Sequence, residues 1–240
     1  MGVTNKQAGT HVNEIADGIY RISTPVSEVP GGFSFNQYLL ADDQPLLFHT
    51  GPRRMCLLVQ EAISSILDVK DLRFIGFSHY ESDECGSLNE FLRLAPQAVP
   101  LYGQVNAMIN GDCFDKPARV LADGETLSLG RHCVRWFDTP HLPHAWECGY
   151  LMEGTTSTLL CGDLFTQGGA DLPPLTCSDI LESSEAFRKQ MDYFSHTKNV
   201  RSLLARLAAL KPMVLACMHG IAWQGDGERL LSALAESLDA

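Results

Sequence analysis

The stretch LRFIGFSHYESDECGSL, residues 72–88, decides the fold and the chemistry of this chain. Its first part, up to Phe77, is almost continuously apolar, a pattern typical of a strand that other layers cover on both faces. A histidine and three carboxylates follow at once, namely His79, Glu81, Asp83 and Glu84. Open α/β sheets bind ligands at the carboxyl ends of their strands, so this loop is a candidate metal-binding segment.

Three later segments also end in histidine or aspartate after a predicted strand. They are WFDTPHLPH (136–144) with His141 and His144, STLLCGD (157–163) with Asp163, and VLACMHG (214–220) with His219. Histidine nitrogens and carboxylate oxygens are common ligands of iron, manganese and zinc. If these strand ends share one edge of the structure, potential metal ligands converge there.

Each of these residues also has a plainer interpretation. A single histidine or aspartate after a strand is typical of a turn or a helix cap. Asp83 and Glu84 also suit the N-terminus of the helix that follows, where the helix dipole favours anions. The whole set is harder to explain in this way, because clustered carboxylates repel one another unless a cation neutralises them. The set therefore favours a metal site.

Strand and helix patterns alternate along the chain and predict one α/β domain over residues 1–240. Strands are predicted at 18–23, 35–42, 45–51, 72–79, 98–103, 126–140, 147–163 and 212–220. Helices are predicted at 57–67, 88–94, 179–196 and 199–211, and a last helix ends the chain. No Pro/Gly/Ser-rich linker and no short sequence repeat divides the pattern.

Composition excludes several classes of partner. The 240 residues are 45% hydrophobic, enough for a sizeable core, and carry a net charge of −11. A surface this acidic, without a basic cluster, disfavours nucleic acid and anionic membranes. No apolar run approaches the ~20 residues of a membrane-spanning helix, and the N-terminal residues lack the apolar core of a secretory signal. We expect a cytoplasmic protein whose eight scattered cysteines behave as small apolar side chains rather than disulfides.

The spacing His79-x-Glu81-x-Asp83, continuing into Cys85-Gly86, resembles the metal loop of the metallo-β-lactamase superfamily in its flavodiiron form, His-x-Glu-x-Asp-His-x-Gly-Ser. DGIYRIS (17–23) and FNQYLLADDQPLLFHTG (35–51) resemble that superfamily's opening hairpins, and TPHLPH, CGD and MHG resemble its later ligand segments in the expected order. The resemblance covers nearly the whole chain. It implies a mixed α+β or α/β fold, a four-layer αββα metallo-β-lactamase-like sandwich, with the site at the edge between two sheets.

Position by position, the resemblance implies two metal ions. The first is held by His79, Glu81 and His144, the second by Asp83 and His219, and Asp163 bridges the two. His144 is preferred to His141 because of its separation from Asp163 and because Trp146 resembles the aromatic neighbour of the family's ligand histidine. His141 is then an alternative ligand or a residue that supports the ligands from behind.

The chain departs from the flavodiiron pattern at two positions. Glu84 stands where that family has a histidine; it either ligates the second metal as an anion or turns away and leaves a position for water. His49 stands where the superfamily commonly has aspartate, and it either orients a ligand through its ring N–H or is an ordinary buried histidine. Tyr80 and Trp146 are candidates for shaping the pocket and are equally compatible with simple packing.

Carboxylates in place of histidine make the site harder and more anionic, which moves its preference from zinc towards iron or manganese. Two divalent ions bring four positive charges, and Glu81, Asp83 and Asp163 bring three negative ones, or four if Glu84 ligates. The sequence thus predicts a non-haem diiron protein that binds O2 or NO. The alternatives are a zinc-dependent hydrolase that attacks an ester, thioester or lactam, and a metal-free binding module.

Flavodiiron enzymes receive electrons from a flavodoxin-like domain that follows the lactamase-like one. This chain ends at Ala240, shortly after His219, and has no phosphate-cradling Gly-rich loop for FMN. We therefore expect a stand-alone diiron core, similar to the oxygen-binding diiron proteins, with any reducing electrons coming from a separate redox partner. Whether the site reduces its ligand or only binds it stays open. Related diiron proteins form head-to-tail dimers, and a homodimer is expected here.

Overall fold

The computed structural model describes residues 2–5 and 9–238. Within them, the two halves of the chain each form one β-sheet. The strands of the first sheet stand in chain order: β1 Gly2–Asn5, β2 Thr10–Ala16, β3 Ile19–Val26, β4 Phe33–Leu40, β5 Leu46–Phe48, β6 Phe74–Gly76, β7 Val99–Gly103 and β8 Arg119–Leu121. The second sheet contains β9 Thr126–Ser128, β10 Cys133–Asp138, β11 Gly149–Glu153, β12 Thr158–Leu160, β13 Leu175–Thr176, β14 Val214–Ala216 and β15 Ala222–Gln224, in the spatial order β13-β15-β14-β12-β11-β10-β9.

The helices lie between these strands in the chain, except the last one, which follows β15. They are α1 Cys56–Ser64, α2 Ser82–Cys85, α3 Leu88–Leu94, α4 Gln104–Asn110, α5 Leu181–Met191, α6 Val200–Ala208 and α7 Gly227–Ser237. The longest have 11 residues, and none in the described part of the chain is long and apolar enough to cross a bilayer.

Parallel pairing places several strand ends at the same edge. The strands β5, β6, β7 and β8 pair in parallel, and so do β12 and β14. Parallel neighbours need a long crossover connection, which α1 supplies between β5 and β6, and α5 with α6 supplies between β12 and β14. The loops that follow β6, β12 and β14 therefore begin at the carboxyl ends of these strands.

Three apolar layers hold the sheets and helices together. Leu46 of the first sheet and Trp136 and Leu151 of the second are fully buried in one cluster between the sheets. Val59 of α1 packs in a second cluster on the outer face of the first sheet, and Leu207 of α6 packs in a third on the outer face of the second. The order of layers is helix, sheet, sheet, helix, which confirms the predicted αββα sandwich.

The structure differs from the sequence prediction mainly in short elements. The patterns did not indicate β1, β2, α2, α4, β8, β13 or β15. In α4 only Asn106 is buried, while Met108 and Ile109 are exposed, so the helix has no apolar stripe to reveal it. The strand predicted over 72–79 is paired only over Phe74–Gly76, because the chain leaves the sheet there and enters the loop that carries His79.

Leu151→Ala should lower the free energy of unfolding by about 2–5 kcal/mol, because it leaves a cavity between the two sheets. Leu57→Ala is the matched control, since Leu57 is 76% exposed on α1 and should change the free energy by less than about 0.5 kcal/mol. Urea unfolding of the metal-free protein measures both. Equal destabilisation by the two substitutions would contradict the inter-sheet core.

Candidate metal centre

Four chain segments bring the predicted ligands to one edge of the two sheets. His79 follows β6, His144 lies between β10 and β11, Asp163 follows β12 and His219 follows β14. Because β12 and β14 are parallel neighbours, Asp163 and His219 leave the sheet side by side. The structure brings together all the residues predicted as ligands, which form three overlapping groups and are His79, Glu81, Asp83, Glu84, His144, Asp163 and His219.

The loop after His79 is folded by contacts with Thr50. The backbone N–H of Thr50 donates to the carbonyl oxygen of Glu84 at 2.7 Å, and the N–H of Ser87 donates to Thr50 Oγ1 at 3.1 Å. The loop forms the short helix α2, at whose start Glu81 makes no side-chain capping bond. The next helix, α3, also has no side-chain cap. Helix capping therefore does not explain the carboxylates of this loop.

Backbone carbonyls orient two of the three imidazoles. Nδ1 of His144 donates to the carbonyl oxygen of Tyr193 at 2.9 Å, and Nδ1 of His219 donates to that of Ser34 at 2.9 Å. A carbonyl oxygen only accepts, so each ring carries a proton on Nδ1. Nε2 then faces the cluster, which is the orientation a metal-ligating histidine requires.

The first group of donors surrounds His79 and His144. The two Nε2 atoms lie 2.9 Å apart, and Glu81 Oε1 lies 3.1 Å from that of His144 and 3.8 Å from that of His79. Asp163 Oδ2 lies 3.5 Å from Nε2 of His79 and 3.6 Å from Nε2 of His144. Two nitrogen lone pairs at this separation repel unless a proton or a metal ion lies between them. The group is therefore suited to a cation.

The second group lies on the other side of Asp163. His219 Nε2 lies 3.4 Å from Asp83 Oδ2 and 3.4 Å from Asp163 Oδ1. Asp163 thus directs Oδ2 at the first group and Oδ1 at the second. A carboxylate with one oxygen towards each of two donor groups is suited to bridging two cations.

Glu84 is fully buried, and neither of its carboxylate oxygens has a hydrogen-bond partner among the residues the structure describes. Its Oε2 lies 3.9 Å from His79 Nε2, and it also belongs to a donor group with Asp83 and His219. Burial raises the pKa of Glu84 well above its usual value; the positive charge of His79 opposes this rise and Asp163 reinforces it. An unpartnered buried carboxyl group costs free energy. The sequence left two roles open for Glu84, a metal ligand or a side chain that turns away from the site. The geometry favours a side chain that faces the site.

Charges within the cluster shift the pKa values of its members. Hydrogen bonds with His144 and His79 lower the pKa of Glu81 to about 2. Burial by itself lowers the pKa of His219, but hydrogen bonds with Asp163 and Asp83 outweigh it and raise the value to about 10. In the metal-free protein a proton on His219 thus partly neutralises the carboxylates. A metal ion at Nε2 must displace that proton, so its affinity falls as the pH is lowered.

His49 and Ser78 support His79 from behind. Ser78 Oγ lies 3.0 Å from Nδ1 of His79 and 3.0 Å from Nε2 of His49, and the Ser78 N–H donates to that Nε2 at 3.3 Å. Burial lowers the pKa of His49 to about 3, so this ring is neutral. His49 therefore reaches His79 through the Ser78 hydroxyl, not by direct contact. Sequence reasoning missed Ser78, because only the parallel pairing of β5 with β6 brings it beside His49.

The remaining sequence candidates lie at the margin of the site. The side chain of His141 is exposed, and His141 belongs to none of the donor groups that the described residues form. Trp146 is 49% exposed, and the aromatic ring beside His144 is that of Tyr193, with ring centroids 6.1 Å apart. Tyr80 is 42% exposed and, together with Glu81, lines a cavity of about 360 Å³.

Aromatic rings that the sequence analysis did not single out cover His219. The ring of Phe33 stacks on the imidazole with centroids 4.4 Å apart, and Phe35 meets it edge-on at 5.4 Å. Phe187 stacks with Phe33, with ring centroids 5.7 Å apart. This apolar wall limits the access of water to His219, whose side chain is 6% exposed, and this strengthens the electrostatic interactions of its ring.

The chain matches a known protein family and is similar to several known proteins. A family model described as "ODP family beta lactamase" matches residues 33–220. The anaerobic nitric oxide reductase flavorubredoxin of Salmonella arizonae is 26% identical over 215 residues, which are 83% of this chain and 43% of that protein. The rubredoxin-oxygen oxidoreductase of Megalodesulfovibrio gigas is 25% identical over 210 residues, 82% of this chain and 50% of that protein. The chain thus spans half or less of the length of these relatives.

Solved structures show the same fold. The flavodiiron protein of Giardia intestinalis matches with a TM-score of 0.83 at 17% identity, over 95% of this chain and 59% of that one. The match of the family model includes all the candidate ligands and most strands of both sheets. From these observations together, the chain belongs to the ODP family of beta lactamases.

Proposed function

We propose that this chain is a non-haem diiron protein that binds O2 or NO and reduces it when an external donor supplies electrons. The observation that carries the proposal is Glu84, a fully buried carboxyl group whose two oxygens lack partners in the described part of the chain. It stands between His79 on one side and Asp83 with His219 on the other. A dinuclear metal centre gives this group the positive charge it lacks.

The donor set fits two iron ions. His79, Glu81 and His144 would hold one ion, Asp83, Glu84 and His219 the other, and Asp163 would bridge them. The four negative charges of these carboxylates balance the four positive charges of two ferrous ions. The same negative charge favours oxidation of the ions to the ferric state. When bound, the two ions supply open coordination positions for O2 or NO and electrons for its reduction. Manganese suits the same oxygen-rich set; zinc suits it less, which disfavours the hydrolase.

The protein side chains contribute orientation and exclusion of water. The carbonyl oxygens of Tyr193 and Ser34 fix the rings of His144 and His219, and Ser78 fixes that of His79. Such supporting partners raise metal affinity by about 10–100-fold in other proteins. The rings of Phe33 and Phe35 keep the His219 side apolar.

A separate electron donor belongs to the proposal. Two relatives of this chain are a nitric oxide reductase flavorubredoxin and a rubredoxin-oxygen oxidoreductase. Each name contains both a small molecule, NO or O2, and an electron-carrying group. We propose by analogy that this chain receives electrons from a redox partner, that it works in the cytoplasm, and that it forms a homodimer.

Protein made in iron-supplemented medium should contain about two iron ions per chain and absorb visible light when oxidised. Asp163→Ala should reduce the content to less than about one ion, because it removes the proposed bridge. Asp112→Ala is the control, an acid-to-alanine change at an exposed position, and should leave the content unchanged. Elemental analysis measures all three proteins. A colourless wild-type protein that holds zinc and hydrolyses a thioester or lactam would refute the diiron proposal.

Glu84→Gln should raise the reduction potential of the iron-loaded protein by roughly 100–200 mV, since a unit charge about 4 Å from another contributes about 4 kcal/mol at an effective dielectric constant of 20. The negative charge of Glu84 favours the ferric state. Glutamine keeps the size of the side chain but removes this charge. Glu182→Gln makes the same change at an exposed position and should not shift the potential. Spectroelectrochemical titration measures the shift, and an unchanged or lowered potential for Glu84→Gln would show that Glu84 does not act on the metals.

A further inference from the structure

His79 has partners of opposite kinds at the two nitrogens of its ring. In front, Oε2 of Glu84 lies 3.9 Å from His79 Nε2. Behind, Ser78 Oγ lies 3.0 Å from His79 Nδ1 and 3.0 Å from His49 Nε2. His49 and Glu84 are both fully buried. Water and salt therefore screen little of the influence that these two side chains have on the ring between them.

The hydrogen bonds show that His49 is uncharged. The backbone N–H of Ser78 can only donate, and it donates to His49 Nε2 at 3.3 Å. This nitrogen therefore carries no proton, and an imidazole with one unprotonated nitrogen is neutral. The Ser78 hydroxyl can then also donate to His49 Nε2, and its oxygen accepts from Nδ1 of His79. This relay keeps the proton of His79 on Nδ1 and leaves its Nε2 available for a metal.

The last acceptor in this relay decides how strongly His79 donates electrons to a metal. A carboxylate at that position makes a ligating histidine more basic, whereas the neutral ring of His49 attracts the Nδ1 proton less. The superfamily commonly has aspartate where this chain has His49, and the flavodiiron pattern has histidine where this chain has Glu84. The chain therefore has one carboxylate fewer behind His79 and one carboxylate more in front of it.

The backbone joins the two positions directly. Thr50 follows His49 in the chain, and its N–H donates to the carbonyl oxygen of Glu84 at 2.7 Å. The segments that carry the two exchanged side chains are thus in contact, and both side chains act on the same imidazole. This arrangement indicates that the two departures from the family pattern belong together.

We propose that His49 is a positioning residue that compensates for Glu84: its neutral ring, acting through Ser78 and His79, offsets the additional carboxylate and keeps the reduction potential of the metal centre from falling further. The inference rests on the proposed metal centre. The four carboxylates that face the site already favour oxidised metals, because negative charge stabilises the higher positive charge. A fifth carboxylate at position 49 would add to this effect and would make the centre harder for an external donor to reduce.

The zinc affinity of two variants of nearly equal size tests the proposal without iron. His49→Asp and His49→Asn differ in the charge of the new side chain. His49→Asp should bind Zn²⁺ at least about tenfold more tightly than His49→Asn, as expected for a partner that acts through a ligating histidine. Gln97→Glu adds a charge at an exposed position before β7 and should leave the affinity unchanged. Competition with a chelator measures all of them, and equal affinities of the two His49 variants would overturn the proposal.

The reduction potential of the iron-loaded protein provides a second test. His49→Asp should have a lower potential than His49→Asn, because only the aspartate adds a negative charge. The double variant His49→Asp/Glu84→Gln again has four carboxylates, and its potential should lie between those of the two single variants His49→Asp and Glu84→Gln. Spectroelectrochemical titration measures these potentials. A purely structural role of His49 would shift the potentials of His49→Asp and His49→Asn equally and would refute the compensation.

Substitutions at position 49 risk misfolding, so a third measurement uses the wild-type protein alone. In the zinc-loaded protein, ¹H–¹⁵N spectra of the imidazole rings should show the protons of His49 and His79 on Nδ1. A proton on Nε2 of His49 would contradict its role as an acceptor. Wild-type protein that takes up zinc but no iron would refute the diiron proposal and leave this inference intact, whereas equal zinc affinities of the two His49 variants would refute this inference alone.

Discussion

Charge compensation in a confined space is the constraint on which the rest of this structure depends. Glu81, Asp83, Glu84 and Asp163 are gathered at one edge of the sandwich, and within the described residues their ion-pair partners are histidines rather than lysine or arginine. Protons on the imidazoles can neutralise part of this charge. Two divalent metal ions would neutralise all of it and would give the buried oxygens of Glu84 a partner as well.

The fold supplies the means to hold such a cluster. Parallel strands end at one edge of a sheet, so short loops from both sheets reach the cluster of candidate ligands. Side chains of β4 then fix the loop that carries His219. Asn36 Nδ2 donates to the carbonyl oxygens of Cys217 and Gly220, each at 2.9 Å, and the Tyr38 hydroxyl donates to that of Cys217 at 2.6 Å. These bonds restrict the position of His219 before any metal is bound.

The strand ends rich in histidine and carboxylate were sufficient to predict that the candidate ligands converge. The strand and helix pattern predicted one α/β domain, and its four-layer architecture was implied by the resemblance to the metallo-β-lactamase superfamily. The sequence was insufficient where the outcome depends on contacts across the sheets. The orientation of Glu84 depends on Thr50, the link from His49 to His79 depends on Ser78, and the ring beside His144 belongs to Tyr193 rather than Trp146. None of these contacts leaves a periodic signal in the chain. Short elements such as α4 were missed because they bury too little apolar surface to produce a pattern.

Anomalous X-ray diffraction at the iron absorption edge, from crystals of protein made with iron, tests the central claim most directly. The account predicts two anomalous peaks, one beside His79, Glu81 and His144 and the other beside Asp83 and His219, with Asp163 and Glu84 in contact with metal. A single peak, no peak, or a Glu84 side chain directed away from both ions would contradict it.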